Sequence, residues 1–218
     1  MKFLPRTVGM LTMMALLVVA LSSMGCTGET NTGDFVVKNG VLTRYAGADP
    51  VEVGDSPPDD IEVGMVVNIP DNLGITAIGG LAFSYRPGIS EVTIPKGVVS
   101  IGEGAFGNCT GLASVTIPDT LESIGNGAFA GCSSLTSVSI PDSVTSIGPS
   151  AFSDCSSLAS VTMGSGVTSI GNHAFSGTKL SSPVIINDGK TLYYVPPGLT
   201  SYTIPDTVTT INDYAFSN

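Results

Sequence analysis

The chain predicts a β-rich solenoid, an elongated array of 23-residue coils. Each coil is expected to hold a short strand, a turn, a second short strand and a helical or 3₁₀-like turn. Three observations carry that expectation. Four blocks, EVTIPKGVVSIGEGAFGNCTGLA, SVTIPDTLESIGNGAFAGCSSLT, SVSIPDSVTSIGPSAFSDCSSLA and SVTMGSGVTSIGNHAFSGTKLSS, follow one another without a gap from Glu91 to Ser182. A period in the twenties marks units that bury their apolar faces only against their neighbours. Within a block, Val115 and Ile117 alternate with Ser114 and Thr116, the period of a half-buried strand. Pro118 then closes the strand, because it has no N–H to give a ladder. Finally, Ile-Gly and Ala-Phe pairs recur in step. Stacking is expected to align Ile78, Ile101, Ile124, Ile147, Ile170 and Ile211 in one internal column, and Phe83, Phe106, Phe129, Phe152, Phe175 and Phe216 in another. A buried Phe or Ile contributes about 1.5–3 kcal/mol of transfer free energy, largely offset by the ordering of its coil, so no coil is expected to stand alone.

Residues 1–25 read as a secretory signal. Lys2 and Arg6 precede an apolar run from Val8 to Leu21, followed by small Ser22, Ser23 and Gly25. The run is too short for a span, which takes about 20 residues. Cys26 follows directly, placed as in a bacterial lipobox, although Ser23 stands where Leu is usual. Cys26 is therefore the candidate lipid-attachment residue; without lipidation the chain would be freely secreted. Residues 26–34 then form a polar tether.

Residues 35–68 form an N-terminal hairpin and edge region. Asn39-Gly40 is a two-residue hairpin turn between apolar runs. The acidic, Pro-rich stretch 47–63 offers Asp55, Asp59, Asp60 and Glu62, the oxygens calcium takes, but at a spacing that fits no established loop. A solvated loop is the expectation there.

Coils occupy 69–218, with an irregular insertion around 182–200. The first coil, with Ile69-Pro70, Ile78-Gly79 and Ala82-Phe83, carries two extra residues and reads as an edge coil. The fifth has Met163-Gly164 for Ile-Pro and Thr178 for Cys. In the insertion, Asp188-Gly189 marks a second hairpin turn. The glycines recur at coil corners, where they are expected to serve backbone conformation. The chain ends at INDYAFSN, partway through a coil; either this half-coil is the cap or the array is truncated.

The motif L-x-x-V-x-I-P-x-x-V-x-x-I-G-x-x-A-F-x-x-C, at 92–109, 115–132 and 138–155, resembles the BspA-like, or treponemal-type, leucine-rich repeat. With degenerate coils the resemblance runs from about Phe35 to Asn218. It implies a leucine-rich-repeat array and a bacterial surface or secreted protein that adheres to host or bacterial partners, extracellular-matrix proteins among them.

Composition narrows the function. The formal charge is −10 with only 8 Lys and Arg, so the basic footprint of a nucleic-acid binder is missing and anionic membrane surfaces are disfavoured. Membrane association is expected only through a lipid anchor. Cys109, Cys132 and Cys155 share one repeat position, and that spacing stacks single thiols in a column rather than building a tetrahedral cage. Buried free thiols are the expectation. His173, the sole His, sits at a variable exterior position, and there is no G-x-S-x-G and no P-loop. Neither catalytic nor metal residues nor a cofactor are assigned, and the chain is expected not to be an enzyme. The candidate binding face is the outer side of the strands: Glu91, Thr93, Ser114, Thr116, Ser137, Ser139, Ser160, Thr162, Ser201 and Thr203. Two functions follow: an exported surface module for protein binding and adhesion, or a non-catalytic fragment of a longer surface protein.

Overall fold

The computed structural model describes residues 29–31, 35–45, 64–186 and 189–216. The signal segment, Cys26, the acidic residues Asp55, Asp59, Asp60 and Glu62, and Asp188 lie outside the described residues.

The chain opens with β1 (Glu29–Asn31), β2 (Phe35–Lys38) and β3 (Val41–Tyr45), paired antiparallel in that order. Asn39 and Gly40 turn β2 into β3 with φ of 52° and 75°, the left-handed pair a two-residue hairpin requires. β1 falls within the segment expected to be a tether; residues 29–31 are instead a sheet strand.

Each of the five coils that follow contributes two short strands. The first strands are β4 (Met65–Asn68), β6 (Ile89–Thr93), β8 (Ser114–Thr116), β10 (Ser137–Ser139) and β12 (Ser160–Thr162). The second strands are β5 (Ala77–Ile78), β7 (Ser100–Ile101), β9 (Ser123–Ile124), β11 (Ser146–Ile147) and β13 (Ser169–Ile170). Second strands pair in parallel and in register, and β3 extends them into one sheet ordered β1-β2-β3-β5-β7-β9-β11-β13. First strands form the ladders β4-β6-β8 and β10-β12. The chain closes with β14 (Val184–Ile186), β15 (Thr191–Tyr194) and β16 (Thr210–Ile211), a separate three-stranded sheet.

The core is the pair of columns the repeat predicts, through five coils. Ile78, Ile101, Ile124, Ile147 and Ile170 pair in direct register and are buried. The rings of Phe83, Phe106, Phe129, Phe152 and Phe175 stack nearly parallel, with successive centroids 4.8, 5.1, 5.2 and 5.6 Å apart. Backbone bonds lock the same corner: Phe106 N–H donates to Ala128 C=O at 2.7 Å, and Phe129 N–H to Ala151 C=O at 2.8 Å. These corners are hydrogen-bonded turns, as when Cys132 N–H donates to Phe129 C=O. They are not helical; among the described residues the only 3₁₀ helix is Asp71–Leu73.

Both columns end before the expected sixth members. Ile211 pairs with Leu192, not with Ile170, and is 48% exposed; Phe216 is 55% exposed. The β14–β15 hairpin inserts a rung of its own. Tyr194 takes the place above Phe175, tilted by 53° at 6.4 Å, and so terminates the stack.

The glycine of each Ile-Gly pair serves proximity rather than turn conformation. A Cβ on Gly125 would stand 2.7 Å from the Gly102 carbonyl carbon of the preceding coil. Gly125 is not among the residues with positive φ.

Phe129→Ala is expected to destabilise the chain by about 3–5 kcal/mol, because it cuts the stack at its centre. Phe216→Ala is expected to stay within about 0.5 kcal/mol, as a surface change. Urea unfolding of the two variants measures the difference; equal losses would contradict the interrupted column.

Candidate functional site

The hydroxyl-bearing residues around the first strands fall into two sets with different fates. At the turns after β8 and β10, the hydroxyl is spent internally. Thr120 Oγ1 donates to Val98 C=O at 2.9 Å, and Ser143 Oγ to Leu121 C=O at 2.6 Å. Thr145 and Thr168 donate to Glu122 and Thr145 carbonyls, both at 3.2 Å. Each bond reaches the preceding coil and ties one rung to the next.

On the outer strand face the hydroxyls remain unused. Glu91, Thr93, Ser114, Thr116, Ser137, Ser139, Ser160 and Thr162 are all exposed. Register brings Thr93 beside Thr116, and Ser139 beside Thr162. The hydroxyls of Thr93, Thr116, Ser139 and Thr162 have no hydrogen-bond partner among the described residues. Their inward neighbours Val92 and Val138 are buried, and Val115 and Val161 partly so, which fixes the opposite face outward. Glu91 carries the single charge of this strip. Ser201 and Thr203, expected on the same face, are exposed but belong to no strand. The inserted hairpin displaces their coil, so they do not join the strip.

Cys109, Cys132 and Cys155 are buried free thiols in one column, none disulfide-bonded. Each has a task that sequence alone did not reveal. Cys109 Sγ–H donates to Phe83 C=O at 2.9 Å, and Cys132 and Cys155 to Phe106 and Phe129 carbonyls, both at 3.1 Å. In the fifth coil Thr178 Oγ1 donates to Phe175 C=O of its own coil instead. Burial pushes the Cys109 thiol up from the ordinary 9.0 to about 11, and Cys155 to about 12; Cys132 is raised by burial and by its two neighbouring thiols. Neutral donors of this kind are poor nucleophiles and poor metal ligands. Among the described residues no three His, Cys, Asp or Glu side chains converge on a metal position.

His173 is exposed, as expected, but it does two things the sequence did not signal. Its φ of 59° places it in the left-handed position that Gly127 fills two coils earlier. Its ring lies 4.8 Å from that of Tyr214, joining the fifth coil to the C-terminal sheet. Among the described residues no helix is long and apolar enough to cross a membrane.

Comparison with known proteins agrees with this geometry. A model of the BspA type leucine-rich repeat region matches six copies, over residues 76–195 and 189–218. The crystal structure of the Treponema pallidum leucine-rich repeat protein TpLRR aligns at 28% identity and TM-score 0.58, covering 84% of this chain and 77% of that one. A leucine-rich cell surface protein from Faecalibacterium prausnitzii aligns at 27% identity and TM-score 0.52, covering 88% of this chain and 52% of that one. The pneumococcal vaccine antigen PcpA shares the fold, at 20% identity and TM-score 0.57, over 88% of this chain and 62% of its own. The chain thus spans about half of the F. prausnitzii protein. No curated protein matches it.

The raised thiols set a pH dependence. A folded-state pKa above the unfolded one gives stability that is full below the unfolded value and lost as pH rises through the folded value. The urea midpoint is expected to hold to about pH 8.5 and then fall toward about pH 11. The fall should be shallower in a Cys109→Ala, Cys132→Ala, Cys155→Ala variant. In the native chain at neutral pH, a thiol reagent should label these three residues only as fast as the chain unfolds.

Proposed function

This chain belongs to the BspA type leucine-rich repeat family, and we propose that it is an exported, non-catalytic cell-surface scaffold that binds protein partners and mediates adhesion to host or bacterial surfaces. One observation carries the choice of surface. The turn hydroxyls of Thr120 and Ser143 are consumed by internal bonds, whereas those of Thr93, Thr116, Ser139 and Thr162 stand in register with no partner among the described residues. A row of uncommitted donors and acceptors on a sheet suits hydrogen bonding to another protein, extracellular-matrix components included. The strip lacks the aromatic and Arg anchors of tight interfaces, so each contact is weak and display of many copies on a cell supplies avidity. The F. prausnitzii relative, a cell surface protein by description, supports the location.

Attachment is through Cys26, diacylated after removal of residues 1–25. A net charge of −10 leaves the lipid, not the protein surface, to hold the membrane.

Two measurements test this reading. The purified chain should bind immobilised extracellular-matrix and plasma proteins saturably, fibronectin and fibrinogen among them. A Thr116→Lys, Ser139→Lys, Thr162→Lys variant that still unfolds cooperatively should lose that binding; unchanged binding would move the interface off the strip. For the anchor, Cys26→Ala should abolish fatty-acid labelling and shift the protein out of the membrane fraction. Unchanged fractionation would leave the protein secreted without lipid.

A further inference from the structure

The first strands pair as β4-β6-β8 and β10-β12, and the second ladder stops at β12 although the sequence continues in step. Val184 and Ile186 stand one full period after Val161 and Met163. Yet β14 pairs with β15 and not with β12. The turn before it is one residue short: Leu158 follows Cys155 by three positions, whereas Leu180 follows Thr178 by two. Lys179 N–H still reaches Leu158 C=O at 2.9 Å, and beyond that point the chain parts from the fifth coil.

The parting leaves a polar edge at β12. Ile140 N–H donates to Thr162 C=O at 2.8 Å, so Ser160 and Thr162 face β10. Alternation in a parallel ladder then turns Val161 N–H and C=O, and Met163 N–H, to the opposite side. In three other coils the equivalents of Met163 N–H are satisfied, Ile69 N–H by Thr93 C=O at 3.2 Å, Ile94 N–H by Thr116 C=O at 3.1 Å and Ile140 N–H by Thr162 C=O at 2.8 Å; Ile117 N–H, at the gap between β8 and β10, makes no such bond among the described residues. Among the described residues, no backbone hydrogen bond joins 159–163 to 180–186. Between them lies a groove of about 510 Å³, within the range of ligand sites. Its walls are Val161 and Met163 on one side and Pro183 and Ile185 on the other, with no charged side chain in the lining.

We propose that the β12 edge is a strand-acceptor site that takes an extended, uncharged peptide segment of a partner protein as an added rung. The unpaired sequence N–H, C=O, N–H at strand spacing is complementary to a peptide backbone. The register of the existing ladders sets the side chains: Val92 lies beside Val115 and Val138 beside Val161, so the incoming strand presents a branched apolar residue inward and small hydroxyls outward. The uncharged lining selects against acidic and basic segments. This site adjoins the hydroxyl strip at Ser160 but uses the backbone edge of β12, not the strip's hydroxyls, and is tested apart from it.

A labelled, end-capped peptide LTSVSIP, the sequence of residues 135–141, is the probe. In the free chain the amides of Val161 and Met163 should exchange at least about tenfold faster than those of Val138 and Ile140, and saturating peptide should slow them. A regularised chain with Thr178→Cys, Lys179→Ser, Leu180→Ser, Ser181→Leu, Ser182→Thr and Pro183→Ser restores the repeat spacing. It should close β14 onto β12, protect the same amides without peptide and lose peptide binding. Thr116→Lys with Ser139→Lys should leave peptide binding intact. Absence of binding, binding without protection of Val161 and Met163, or equal binding by the regularised chain would each overturn the proposal. Protection that appears with rising protein concentration alone would assign the edge to a second copy of the chain and overturn it as well.

Discussion

One constraint governs this protein: every coil must lie on the next at strand spacing, with the same residue above itself. Phe83 N–H bonds to Ala105, Phe106 to Ala128, Phe129 to Ala151 and Phe152 to Ala174, so the corners obey the same translation as the strands. An aromatic stack follows necessarily, because identical side chains at one translation per coil cannot avoid one another. Close approach then removes any Cβ from the residue after each Ile. The carbonyls of Phe83, Phe106 and Phe129 sit where the thiol of the next coil reaches them, which makes Cys a structural donor rather than a reactive group. Stability is accordingly shared between neighbours, and the cost of a defect depends on its distance from the ends of the stack.

The sequence made legible whatever repeats. Two strands per coil, five members of each column and both hairpins follow from period, alternation and turn chemistry. What it concealed depends on interruption or on backbone geometry. Ile211 and Phe216 match the motif letter for letter, yet their neighbour in space is the inserted hairpin, and pattern matching cannot see a rung inserted between two copies. His173 fills a position given to Gly in two coils and Ser in another; variability suggested a free surface site, whereas its left-handed backbone and its contact with Tyr214 are tertiary facts. Alternation placed Ser139 on the outer face, where it faces solvent. It could not show that the turn hydroxyl of Ser143 is bonded inward to Leu121.

The same division explains why binding is placed on strand surfaces. A translational stack generates rows, not convergent clusters, so residues of one kind meet their own kind at fixed spacing. Rows suit repetitive or extended partners. They are poor at gathering a nucleophile, a base and an orienting group from distant parts of a chain.

The C-terminal hairpin is best understood as a second beginning. At the N-terminus, Leu42 of β3 pairs with Ile78, and Gly79 N–H donates to Leu42 C=O at 2.7 Å. At the C-terminus, Leu192 of β15 pairs with Ile211, and Asn212 N–H donates to Leu192 C=O at 2.9 Å. Thr76 N–H to Gly40 C=O and Thr209 N–H to Lys190 C=O repeat the correspondence one step earlier. Both hairpins therefore supply a second strand on which the next coil is laid, using a local turn instead of a preceding coil. In this restart the old ladder is broken: β14 pairs with β15 along one edge and leaves its other edge apart from β12. The widening of the phenylalanine stack from 4.8 to 5.6 Å, ending in a tilted Tyr194, is the approach to that break inside the core. The open edge of β12 is the same break at the surface, so the proposed acceptor site arises from the element that lets the array begin again.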